Sequence, residues 1–126
     1  MTISYRNSKL IPIYAELDWN TAGFDTAALL GSLPLGAKLL LANVVVQTQF
    51  NAGSTNRLNI GFASNGSGSE ICTNVDIGVA ANTRIELPQA WIQNPLSAAR
   101  SFYARYTQTG SAASAGKLHV NLLAFI

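Results

Sequence analysis

The sequence predicts an all-β protein, an antiparallel β-sandwich of the jelly-roll type with an irregular N-terminal arm. Three observations carry this expectation. Apolar residues recur mostly with period two from Leu39 onward, clusters of Gly, Ser, Asn and Thr separate the runs, and no long amphipathic helical stretch interrupts them. The expected organisation is one domain over residues 1–126, with residues 1–35 as an arm or edge segment and residues 36–126 as the sandwich core. At this length folding removes roughly two-thirds of the unfolded chain's surface from water, enough for one core.

Taken in order, the first 35 residues carry apolar side chains at Ile3, Tyr5, Leu10, Ile11, Ile13, Tyr14, Leu17 and Trp19 with no sustained period. A strand is expected over Ile11 to Leu17. Asp25 is placed to cap one helical turn through Thr26 to Leu30, which Gly31 would end. From Lys38 to Phe50, Leu39, Leu40 and Leu41 read as buried on both faces. Val44, Val46, Thr48 and Phe50 then alternate with Asn43, Val45, Gln47 and Gln49. An extended run of this length would span roughly 43 Å, well beyond the usual strand, so a bend, a bulge or a change of partner sheet is expected within it.

Asn51 to Asn56 is a cluster of turn formers, and with the alternation of Leu58, Ile60 and Phe62 it predicts a hairpin. Asn65-Gly-Ser-Gly-Ser69 is a second connection. It leads into Ile71, Thr73, Val75 and Ile77 on one face, with Cys72, Asn74 and Asp76 opposite. A turn near Ala80 to Thr83 precedes a short strand in which Ile85 and Leu87 face away from Arg84 and Glu86, closed by Pro88. Ser101 to Gln108 sets Phe102, Ala104 and Tyr106 on one face. After the small-residue loop Thr109 to Gly116, Leu118, Val120 and Leu122 alternate with His119 and Asn121, which predicts a second long hairpin.

Hydrophobic residues make up 48% of the chain and charged residues 11%, less than half of the roughly 25% usual for a soluble domain. Small polar side chains must cover the surface instead, and these repel neighbouring molecules poorly, which favours assembly. The net charge of +2 comes from eight basic and six acidic side chains, the bases standing singly. Without a basic stripe no nucleic-acid partner is expected. The N-terminus lacks a secretory signal and no run of eighteen apolar residues occurs, so neither export nor a membrane partner is expected, and the chain is made in a cytoplasm.

Catalytic patterns are sparse. His119, the sole histidine, lies on the polar side of the last strand and reads as a solvated side chain rather than a general base. Cys72, the sole cysteine, reads as a buried, inert thiol. Glu16, Asp18, Glu70, Asp76 and Glu86 are dispersed and none has the apolar context that raises a catalytic pKa. One Cys and one His build no metal quartet, and Asp18 and Asp25 are better explained by a turn and a cap. The glycine segment Asn65 to Ser69 lacks the lysine and the helix of a phosphate loop. The expectation is no enzyme, no cofactor and no metal. Trp19 and Trp91 can be core, interface anchors or sugar platforms, with Trp91 set in a Pro-bounded connection. The candidate interface residues are Ile3, Tyr5, Ile11, Ile13, Tyr14, Trp19 and Trp91.

Leu33-Pro-Leu-Gly-Ala37, Val44-Val-Val-Gln-Thr-Gln-Phe-Asn51, Leu58-Asn-Ile-Gly61 and Tyr106-Thr-Gln-Thr-Gly-Ser-Ala-Ala-Ser-Ala-Gly116 together resemble small virion proteins of tailed bacteriophages over about residues 33–126. That class comprises β-sandwich head decoration or cement proteins, head-fibre modules and tail-associated modules. The resemblance implies a virion location and a role as a homo-oligomeric decoration protein that binds the major capsid protein, or another virion protein, and bridges capsomers. The alternative is a head-fibre or tail-associated module that binds host-surface glycan, through Trp91 and tyrosines near the loops, or another virion protein. It brings no catalytic residue with it.

Overall fold

A computed structural model describes residues 9–87 and 95–126. Eight strands follow one another: β1 (Leu10–Asp18), β2 (Ala28–Leu33), β3 (Lys38–Thr48), β4 (Thr55–Gly61), β5 (Cys72–Asp76), β6 (Thr83–Glu86), β7 (Arg100–Thr109) and β8 (Lys117–Phe125). They form two four-stranded antiparallel sheets, ordered β1-β8-β3-β6 and β2-β7-β4-β5. The pairs β1 with β8, β2 with β7, β3 with β6 and β4 with β5 are nested like one long hairpin rolled around a core. This is the strand order of a jelly roll, so the predicted all-β sandwich is borne out.

Period two explains the core. Ile13, Leu17, Leu39, Val44, Val46, Leu118, Val120 and Leu122 line the inner face of the first sheet; Leu30, Leu33, Leu58, Ile60, Phe102 and Tyr106 line that of the second. Phe24 and Phe50 close one end by packing edge-on or tilted against each other and Tyr106, with ring centroids 5.0 to 6.4 Å apart. The bulges expected in the long run from Lys38 are present, between Leu39 and Leu41 and between Val46 and Thr48.

Five expectations change. Both predicted long hairpins are instead crossings between sheets: β3 and β4 lie in different sheets, as do β7 and β8. Their loops run side by side, joined by Gly53 N–H to Ser111 O (2.8 Å), Ser54 N–H to Thr109 O (2.9 Å) and the Asn51 side chain to Ser114 and Ala115. Alternation reports which face of a strand is buried but not which strand it pairs with, and a connection of about six residues can span the roughly 10 Å between sheets. The helical turn after Asp25 is absent. Residues 22–26 form turns, and Ala28 to Leu30 join β2 because pairing with β7 outweighs their helix propensity. Gly31 is no helix stop; it sits at a bulge in β2, where a Cβ would press on the Ile13 side chain at 3.2 Å. Of the arm or edge segment expected, residues 10–33 take the edge role and not that of an irregular arm, since β1, which contains the strand expected over Ile11 to Leu17, and β2 are edge strands of the two sheets. Finally, β5 breaks its predicted alternation: Ile71 and Cys72 are both buried, and Asn74 takes a left-handed conformation (φ 49°) at a register shift.

Candidate protein–protein interface

The two sheets differ on their outer faces. Over the second sheet the β4–β5 loop folds back, bringing Gly66 against Thr26 and Arg105. On the first sheet the register sets the outward side chains in rows. Leu10, Phe125 and Lys38 form the first row and Pro12, Leu123 and Leu41 the second. Tyr14, Asn121, Asn43 and Glu86 form the third, Glu16, His119, Val45 and Arg84 the fourth, and Asp18, Lys117 and Thr48 the last. The face therefore grades from apolar at one end to polar at the other.

The polar end satisfies itself. Tyr14 Oη and His119 Nδ1 are 3.0 Å apart, and Asn121 Nδ2 donates to Asn43 Oδ1 at 3.0 Å. Arg84 pairs with Glu86 at 2.7 Å and Lys117 with Glu16 at 2.9 Å, which raises the lysine's pKa through the hydrogen bond to that carboxylate. Exposed pairs of this kind contribute little stability. The apolar end lacks such a network: Leu10 is 64% exposed and Leu40 50%, Lys38 Nζ lies 6.0 Å from the Phe125 ring centre, and Tyr14, 59% exposed, stands where the two ends meet. A contiguous apolar corner on a chain with so few charges is the kind of surface that another protein covers.

The free edge of β1 is blunted. Lys9 and Ile126 exchange both backbone hydrogen bonds (3.3 and 3.1 Å), so the odd-numbered residues of β1 point their backbone groups at β8 and the even-numbered ones point away. Pro12 falls on the outward side, where it removes one of the outward-pointing donors. A partner meets a face here more readily than it adds a strand.

The structure redistributes the candidate interface residues. Ile13 is 7% exposed and belongs to the core, and Ile11 packs against that core from the same side of β1, so neither is a surface anchor. The physical reason is the strand period, which turns odd positions inward. Tyr14 stands on the outer face, and Trp19, 36% exposed, lies beyond the end of β1. Ile3, Tyr5 and Trp91 lie outside the described residues. Leu10, Pro12, Leu40 and Phe125 were not singled out from sequence. The even positions of β1 carried the first two as a legible signal, but Leu40 read as doubly buried and becomes exposed through the bulge beside it.

Among the described residues, two of the carboxylates weighed as catalytic candidates have backbone partners. Glu70 Oε1 accepts from Phe62 N–H at 2.6 Å and Asp76 Oδ1 from Gly78 N–H at 2.9 Å, so these carboxylates brace backbone turns. Cys72 is buried and burial pushes its thiol up to about 12. Among the described residues no group of three or more His, Cys, Asp and Glu side chains is placed to hold a metal ion.

No protein-family model matches the chain, and no curated protein matches it. Solved structures do. A chain of the cyanophage Pam1 capsid asymmetric unit superposes with a TM-score of 0.70 at 14% identity, covering 100% of this chain and 92% of its own. A chain of the acid-stable capsid of Helicobacter pylori bacteriophage KHP30 gives 0.70 at 16% identity, covering 95% and 94%. One from the capsid of Ralstonia phage GP4 gives 0.66 at 18% identity, covering 100% and 90%. What this chain shares with them, over nearly its whole length and theirs, is the eight-stranded fold.

Proposed function

We propose that this chain is a structural protein of a bacteriophage virion, a decoration or cement protein that binds the assembled head through the apolar end of the β1-β8-β3 outer face. The observation that carries the reading is the end-to-end likeness in fold to chains from three phage capsids, with neither side having a large unmatched part. The exposed corner of Leu10 and Leu40 supports it, and the scarcity of charge lowers the desolvation cost of covering that face. The partner is the major capsid protein. A protein that binds only the assembled shell stabilises it by mass action, by about 2.7 kcal/mol per site when free protein exceeds the Kd a hundredfold.

The test adds purified protein to heads assembled without it, measuring co-sedimentation and heat resistance. Binding and a raised disruption temperature are expected. The double variant Leu10→Ser, Leu40→Ser should keep its circular dichroism spectrum and bind at least tenfold more weakly. Failure to co-sediment, together with unchanged heat resistance, would overturn the reading.

A further inference from the structure

Beyond the last polar row of the first sheet, the β1–β2 and β7–β8 loops enclose an open cleft of about 280 Å³. Its walls include Trp19, Asn20, Asp25 and Gln108, with the small residues Gly23 and Ala113 leaving room between them. The volume lies just below the range of drug-sized pockets and suits a ligand of one ring.

The walls are held in place. Trp19 N–H donates to Gly116 O at 2.9 Å, and the loop after it runs through tight turns, Thr21 N–H to Asp18 O, Phe24 N–H to Thr21 O and Thr26 N–H to Gly23 O. Gly23 sits at φ +83°, a conformation that L side chains rarely adopt. Gln108 Oε1 accepts from Ala113 N–H at 2.7 Å, which assigns the amide oxygen and keeps the NH₂ group as a donor. Asp25 makes no hydrogen bond or ion pair with any described residue, so its carboxylate remains an acceptor.

A partly exposed indole, a free carboxylate and two carboxamides on a pre-formed loop frame are complementary to a pyranose, which offers an apolar C–H face and hydroxyls that both donate and accept. The negative charge of Asp25 selects against anionic sugars and phosphates. We propose that this cleft binds one neutral pyranose, stacked on Trp19 and hydrogen-bonded by Asp25 and Gln108. The site is independent of the capsid-docking reading: it lies past the Trp19 end of β1, whereas the apolar corner begins at Leu10, roughly 30 Å away along the strand.

The test uses the full chain labelled with ¹⁵N and titrated separately with glucose, galactose, N-acetylglucosamine and, as an anionic probe, sialic acid. At least one neutral sugar should shift the Trp19 indole N–H and the amides of residues 20–25 and 108–113, saturating in the millimolar range, with no response to sialic acid. Trp19→Ala should abolish the response and Asp25→Asn should weaken it at least fivefold, with the dispersed amide spectrum checking that each variant is folded. Tyr14→Ala should leave it unchanged. No shift in these residues with any neutral sugar, an equal response to sialic acid, or undiminished binding in folded Asp25→Asn would each overturn the proposal. Head binding by Trp19→Ala stays intact if both readings hold, so the failure of one is distinguishable from the failure of the other.

Discussion

Asn56 should be the most costly polar side chain to remove. It is 6% exposed, at the start of β4, and its Oδ1 accepts from Ala52 N–H at 3.0 Å and Tyr106 Oη–H at 2.5 Å while its Nδ2 donates to Ala52 O at 3.2 Å. Asn56→Ala leaves the amide of Ala52 and the hydroxyl of Tyr106 as buried donors without acceptors, at about 1–3 kcal/mol each, so a loss of about 3 kcal/mol is expected. Tyr106→Phe is milder, because Asn56 Oδ1 keeps its bond from Ala52; about 1 kcal/mol is expected. In the Asn56→Ala background the same change removes a stranded hydroxyl, so the double variant should lose only about 2 kcal/mol, a coupling of about 2 kcal/mol against additivity. Urea unfolding followed by circular dichroism measures all three. An Asn56→Ala loss below about 1 kcal/mol, or an additive double variant, would refute the claim that this knot holds the β3–β4 crossing to β7.

Two other outcomes follow from buried positions. Burial holds Cys72 protonated up to about 12 in the native state against an ordinary 9.0, so the unfolded chain loses its proton first as pH rises. Stability should be fully present below pH 9 and fall between pH 9 and 12 by up to about 1.4 kcal/mol per pH unit, with Tyr106, also raised by burial, adding to the fall above its ordinary 10.0. Cys72→Ala should flatten the lower part of that slope in urea midpoints measured against pH, and an unchanged slope would exclude the thiol. Gly66→Ala places a Cβ onto the Thr26 carbonyl oxygen at φ +80° and should cost about 2–3 kcal/mol by thermal unfolding, through both backbone strain and displacement of the β4–β5 loop.

The positions of most strands and the identity of most core residues were legible in the sequence, because strand period and burial are local properties. Leu118, Val120 and Leu122 must share a face whatever they pair with, and Phe102, Ala104 and Tyr106 likewise. Partner choice is not local. The loops after Phe50 and Thr109 carry hairpin-like residues, yet the chain crosses between sheets at both, since only the closing of two sheets over one core places β8 between β1 and β3 and β7 between β2 and β4. Ala28 to Leu30, with a helical pattern, became an edge strand for the same reason.

The scarcity of charge and the lack of a catalytic pattern, read from composition, pointed toward assembly before any fold was known. Which apolar side chains stay exposed was decided by tertiary structure alone. Ile13 and Tyr14 are adjacent apolar residues of one strand, and pairing with β8 over a filled core buries one and exposes the other. The same closure sets Trp19 beside Asp25 and Gln108, residues separated by up to 89 positions in the chain, and no spacing rule in a sequence encodes a meeting of two loops that depends on how both sheets pack.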